Sequence, residues 1–173
     1  ALADHPWKAE KLAELDELIA GCAGLYAEAA VADTVAIPGG EVKLAVTAVN
    51  RSPAAVTLRE VRLPGGERIH VDKALADNQP LVLEHGFKLP AETEYSQPYW
   101  LEAPPEPGHW TVRDPALIGR PAAPPLAAEL VVAVGGTTLT VTRALVHKWV
   151  DPVAGERRRA LEVLPPVSVT PRA

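Results

Sequence analysis

The chain has 173 residues and a mass of 18.4 kDa, a size that suits one domain with its own hydrophobic core. Its formal net charge is -5 and its basic residues are scattered outside one arginine run, so nothing indicates a nucleic-acid partner. The single cysteine excludes an internal disulfide, and Pro and Gly interrupt the uncharged stretches before any could span a membrane as a helix.

Residues 1–24 are predicted to form an amphipathic helix that acts as a linker or docking element. From Pro6 to about Ala23, apolar side chains recur at spacings of three and four residues, while charged side chains fill the other faces. The apolar stripe consists of Leu12, Leu15, Leu18, Ile19 and Cys22. We expect this stripe to lie against the sheet or a neighbouring domain, with Cys22 buried.

After Asp33 the hydrophobic period changes to two, which predicts β-strands. Residues 41–50 alternate cleanly, with one apolar face formed by Val42, Leu44, Val46 and Ala48. In the next strand the alternation slips by one residue between Leu58 and Val61, which predicts a β-bulge. Further strands are predicted at residues 68–71 and 81–89, with a short one at Trp110 and Val112.

The clearest local pattern is a β-hairpin near the carboxyl end. Alternating runs at residues 126–134 and 137–146 are joined by Gly135 and Gly136, a typical hairpin turn. The arginine run at residues 157–159 is expected to form a charged turn before a last strand near residue 161. Seven to nine strands without intervening helices predict an immunoglobulin-like antiparallel β-sandwich over residues 25–173, so the fold class is mainly β with one amino-terminal helix.

The sequence carries no catalytic signature. The five histidines are widely spaced, no serine lies in a G-x-S-x-G elbow, and the glycine pairs do not open helices as phosphate loops do. We therefore expect this chain alone to have no catalytic residue, no metal site, no cofactor and no enzymatic activity.

One segment, SQPYWL at residues 96–101, sets an amide beside adjacent aromatics in a chain that is only 5% aromatic. Flat rings stack on sugars and an amide hydrogen-bonds hydroxyl groups, so the candidate ligand-binding residues are Gln97, Tyr99, Trp100 and Trp110. Aromatic residues also commonly fill the core between two sheets. The core role is favoured here, and the glycan role stays open.

Four patches resemble one protein family: GLYAEA (24–29), VNRSPAAVTL (49–58), SQPYWL followed by LIGRP (117–121), and KWVDPVAGERRRALEVLPPVSV (148–169). They are similar to the region that follows the catalytic domain in some bacterial PIG-L family de-N-acetylases, which are zinc-dependent enzymes that remove acetyl from N-acetylglucosamine-type groups. The resemblance covers residues 21–169. It implies a non-catalytic accessory domain that packs on the enzyme domain of the same polypeptide, positions glycan, and lies in the periplasm or outside the cell.

The family's metal-binding motif, of the type AHPDDE, is missing from this chain. Asp4, His5 and Pro6 match it only in part and lack the adjacent pair of acidic residues. With no Met and no leader-like start, the sequence indicates a piece of a longer polypeptide. Two alternatives stay open: a free-standing carbohydrate-binding module that uses Tyr99, Trp100 and Trp110, and a structural spacer.

Overall fold

A computed structural model of the chain describes residue 5, residues 7–120 and 126–167, and residue 169. The fold is mainly β with one helix, as the alternating pattern predicts. Helix α1 spans Lys8–Cys22, and two short 3-10 helices lie at Tyr99–Leu101 and Pro115–Leu117. The strands are β1 (Leu25–Val31), β2 (Val35–Ala36), β3 (Glu41–Asn50), β4 (Val56–Arg62), β5 (Arg68–Ala74), β6 (Leu81–Lys88), β7 (Ala127–Val134), β8 (Thr137–Asp151), β9 (Gly155–Ala160) and β10 (Glu162–Val163).

Eight strands form one curled, mixed sheet. Its order is β5-β4-β7-β8-β1-β3-β6, and β9 pairs with β8 outside this path. The predicted fully antiparallel arrangement is wrong at one pair, because β1 runs parallel to β8, whereas the other pairs in this sheet are antiparallel. Parallel neighbours need a long connection, which the chain between Val31 and Thr137 supplies. The sheet has two halves that meet at β8: one contains β5, β4 and β7, and the other contains β1, β3 and β6. The inward side chains of both halves belong to one packed cluster, so the curled sheet encloses a single core.

Strand β8 joins the two halves of the sheet. Residues 137–144 of β8 pair with β7, residues 145–147 pair with β1, and residues 146–151 pair with β9. Leu139, Val141 and Leu145 on its inner face are almost completely buried. Beyond His147, β8 and β9 continue as a two-stranded ribbon, because the pairing with β1 ends there within the described residues.

Three local predictions are confirmed. β3 spans the predicted residues 41–50, and all four members of its apolar face are buried. The pairing of β4 shifts between Leu58 and Glu60 against both neighbours, where the slip in alternation predicts a bulge. Gly135 and Gly136 join β7 to β8 in an antiparallel hairpin, because both adopt the positive φ that the turn requires.

The predicted turn at the arginine run is wrong, because residues 157–159 lie inside β9. The chain turns earlier, where the Asp151 carboxylate accepts hydrogen bonds from the backbone N–H groups of Val153 (2.9 Å) and Ala154 (2.7 Å). These bonds hold the pKa of Asp151 below its ordinary value. Once the turn is made there, the arginines pair with β8 and alternate between two faces.

Candidate functional site

Helix α1 contacts the sheet through polar side chains, Ala20 and the partly buried Ile19 instead of through its leucines. Asp16 Oδ2 accepts a hydrogen bond from the backbone N–H of Thr140 (2.9 Å), and Glu17 Oε1 lies 2.7 Å from Arg143 Nη1. Ala20, one turn after Asp16, is buried in the core. This side of the helix fixes α1 on β8.

The three leucines of the predicted apolar stripe therefore face solvent, whereas Ile19 of the same stripe packs against the core. Leu12, Leu15 and Leu18 are between 48% and 64% exposed, and Trp7 just before the helix is 57% exposed. The prediction that Cys22 is buried is wrong, because Cys22 lies on the same outward stripe and is exposed. We call Trp7, Leu12, Leu15 and Leu18 together the leucine face. Adjacent exposed apolar side chains of this size are typical of an interaction site.

The carboxyl end of α1 is held by the turn that follows β3. Ser52 Oγ donates a hydrogen bond to the Ala23 carbonyl (2.6 Å), and the buried Asn50 supports this turn by donating to the Ala54 carbonyl (2.8 Å). Gly24 adopts a φ of +70°, and a Cβ there would lie 3.0 Å from Ser52 Cβ. The leucine face is thus presented by a helix fixed at both its middle and its end.

The aromatic residues of the predicted glycan site differ in exposure. Tyr99 is buried, and its ring meets that of Trp100 edge to face with centroids 4.9 Å apart. Trp100 is 37% exposed and Trp110 is 55% exposed, while Gln97 is exposed. Tyr99 is therefore buried, although it is not a member of the core cluster between the strands, whereas the two indoles are open to solvent and do not have the core role that the sequence favours.

The segment that carries these residues is irregular. Ser96 anchors it to β10, because its backbone N–H donates to the Val163 carbonyl (2.8 Å) and its Oγ accepts from the Val163 N–H (2.9 Å). The short strand predicted at Trp110 and Val112 is wrong. Pro107 and Gly108 form a tight turn that is closed by an isolated bridge between Glu106 and His109, and among the described residues no strand pairs with the residues that follow.

Sequence reasoning did not identify a buried carboxylate, Glu28, on β1. Glu28 is only 7% exposed; its Oε2 lies 2.5 Å from Lys148 Nζ, and its Oε1 lies 3.3 Å from Arg158 Nη1. Within the described residues, Oε1 receives no hydrogen bond. The hydrogen bond from Lys148 to Glu28 raises the pKa of Lys148. Glu28 therefore fastens the β8–β9 ribbon to the sheet.

Replacing Glu28 with glutamine is expected to lower the free energy of unfolding by about 2 kcal/mol, because two cations lose their shared carboxylate. Lys148 and Arg158 are partly exposed, so hydration recovers some of the loss. Urea unfolding followed by far-UV circular dichroism measures the change. Glu156→Gln is the control, because Glu156 also pairs with Arg158 but is half exposed. An equal loss of unfolding free energy in both variants would contradict the claim that burial makes the ion pairs of Glu28 stronger than those of Glu156.

A shallow cavity of about 500 Å³ lies over β1, β3 and β6. Small residues form much of its lining, and its polar groups are Lys43, Glu84 and His85. The imidazole is already engaged, since His85 Nε2 lies 2.6 Å from Glu67 Oε1. In the part of the chain that the structure describes, no three His, Cys, Asp or Glu side chains converge as they would around a metal ion. Asp4 and Pro6 lie outside the described residues.

The fold and these surfaces define a mainly β domain with one helix whose apolar face is open. Comparison of the chain with protein-family models, with curated proteins and with solved structures gives no match. Across residues 7–120 and 126–167, no helix has both the length and the apolar character needed to cross a membrane.

Proposed function

We propose that this chain is a non-catalytic accessory domain of a PIG-L-like zinc-dependent N-acetylglucosaminyl deacetylase, and that it docks on the enzyme domain through the leucine face. The four sequence patches support the family. The orientation of α1 carries the docking proposal, because Asp16 and Ala20 face the sheet while the leucines face solvent. From the resemblance we also propose that the protein lies in the periplasm or outside the cell.

Burial of the leucine face supplies the driving force for docking. Fully burying one leucine side chain contributes about 1.5–3 kcal/mol, and several act together here. The resemblance puts the enzyme domain before this region, so α1 would lie next to it in the polypeptide. A helix held on the sheet by Asp16 and Glu17 presents its leucines without reorganisation, which favours binding.

We also propose that the two halves of the curled sheet are the two layers of an immunoglobulin-like β-sandwich. Two observations support this finer description. β8 pairs with β7 along its first part and with β1 further on, so it passes from one half to the other. The inward residues of both halves pack into one core, as sandwich layers do.

Zinc content and acetate release from chitooligosaccharides test the proposed function. The full-length product of the gene is expected to bind zinc and release acetate, whereas this chain alone is expected to do neither. Stoichiometric zinc together with acetate release in this chain alone would contradict the proposal.

The exposure of Trp100 and Trp110 favours carbohydrate binding as a second candidate function. Trp110→Ala is then expected to weaken binding of a chitooligosaccharide by about tenfold or more, because an exposed indole is the stacking surface. Tryptophan fluorescence titration measures the affinity, and Trp7→Ala on the leucine face is the matched control. Unchanged affinity of the Trp110→Ala variant for the chitooligosaccharide would rule out carbohydrate binding through this indole. If the chain neither docks on an enzyme domain nor binds a glycan, the remaining candidate function is that of a structural spacer.

A further inference from the structure

The two faces of the β8–β9 ribbon carry different groups. In the antiparallel register Trp149 pairs with Arg157, and Lys148 pairs with Arg158. Directly paired side chains lie on the same face, and the next pair lies on the opposite face. Trp149 and Arg157 therefore share one face, while Lys148 and Arg158 share the face that meets Glu28.

Two of the three consecutive arginines are neutralised by carboxylates. Arg158 lies 2.6 Å from Glu156, and Arg159 Nη2 lies 2.9 Å from both carboxylate oxygens of Glu162. Arg157 forms no ion pair with any Asp or Glu among the described residues. Its guanidinium therefore keeps an uncompensated positive charge beside Trp149.

Trp149 offers a flat, fixed face next to that charge. Its indole is 42% exposed and stacks on the His147 ring, with centroids 5.9 Å apart and planes inclined by 22°. His147 Nδ1 lies 3.2 Å from the Val31 carbonyl oxygen, which ties the ring pair to β1. An aromatic face that is already held in place loses little conformational entropy when it binds a ligand.

We propose that Trp149 and Arg157, supported by His147, form a binding site for a saccharide that carries a carboxylate, such as a uronate. The apolar face of a pyranose ring stacks on Trp149, and the carboxylate accepts hydrogen bonds from the Arg157 guanidinium. Side chains paired directly across a ladder have Cβ atoms about 5 Å apart, a distance comparable to the width of one sugar ring. The unpaired charge of Arg157 favours a ligand that carries an anionic group, and the flat indole of Trp149 favours a ligand that contains a ring.

This site lies apart from Trp100 and Trp110 in sequence and does not depend on docking through the leucine face. NMR resolves the indole N–H signals of the four tryptophans, so it identifies which indole responds to a ligand. Titration of the full chain with trigalacturonate is expected to shift the Trp149 signal. Methyl-esterified trigalacturonate, which keeps the rings and loses the charges, is expected to bind about tenfold more weakly or worse.

Arg157→Gln and Trp149→Ala are each expected to weaken trigalacturonate binding by about tenfold or more. Arg59→Gln is the matched control, because Arg59 is exposed and already paired with Asp72. Arg157→Gln removes only a charge from an exposed strand, so it remains informative even where Trp149→Ala disturbs the ribbon. Far-UV circular dichroism checks the fold of each variant.

Four results would overturn the proposal. They are equal affinity for the acid and its methyl ester, unchanged affinity in Arg157→Gln, absence of any trigalacturonate binding, and binding of hexaglutamate in place of the sugar. The last result would instead assign the ribbon to an acidic peptide. None of these results bears on whether the chain docks on a deacetylase domain.

Discussion

Replacing Leu15 and Leu18 together with glutamate is expected to abolish the proposed docking on an enzyme domain, with affinity lowered by about a hundredfold or more. Both leucines are about half exposed or more in the isolated domain and would become buried in the complex. The substitution removes apolar burial and forces two carboxylates into an apolar contact. Isothermal titration calorimetry between this chain and the proposed zinc-hydrolase domain of the same polypeptide measures the loss.

The same double substitution is expected to change the free energy of unfolding of the isolated domain by no more than about 0.5 kcal/mol, because neither side chain packs in the core. The matched control replaces Val150 and Val153 with glutamate. Both valines are exposed, Val150 on β8 and Val153 in the turn between β8 and β9, and the change is expected to leave docking intact. Wild-type affinity in a folded Leu15→Glu, Leu18→Glu variant would show that the leucine face is not the docking surface.

The second large effect is expected in the core. Leu145→Ala should lower the free energy of unfolding by about 3–4 kcal/mol, because Leu145 is completely buried where β8 passes from one half of the sheet to the other. Its backbone is held on both sides: its N–H donates to the Leu126 carbonyl (2.8 Å), and its carbonyl accepts from the Leu161 N–H (2.8 Å). A strand fixed in this way cannot move inward to fill the cavity.

Urea unfolding of the Leu145→Ala variant measures this loss, which is a large share of the total stability of a typical domain. Val150→Ala on the same strand is the control, because Val150 is 78% exposed and its truncation leaves no cavity. A loss below about 1 kcal/mol for Leu145→Ala would contradict a single core shared by both halves of the sheet.

The alternation of apolar and polar residues within individual strands made much of the fold predictable. The bounds of β3, the bulge in β4 and the β7–β8 hairpin all follow from side chains that alternate locally between water and core. The arginine run was not predictable in this way, because three adjacent charges fit a turn as well as an exposed strand. What decides its structure is the turn at Asp151, which brings β9 back along β8.

The candidate site was less predictable, because it depends on contacts distant in sequence. The spacing of Leu12, Leu15 and Leu18 predicts an apolar stripe, but it does not show whether the stripe packs on the sheet or faces solvent. The orientation of α1 is fixed by Asp16 bonding to Thr140, 124 residues further along the chain. The burial and pairing of Glu28 were not predictable for the same reason, since Lys148 is 120 residues away and the adjacent Ala27 and Ala29 carry no signal.

Hydrogen–deuterium exchange of α1 tests docking through the leucine face most directly. The amides of Lys8–Cys22 are compared between this chain alone and the full-length product of the gene, because a docked helix opens less often and exchanges more slowly. We expect exchange across α1 to slow by about tenfold or more in the full-length product, while exchange across β3 stays unchanged. Equal exchange across α1 in both forms, with the proposed zinc-hydrolase domain folded, would contradict docking through the leucine face.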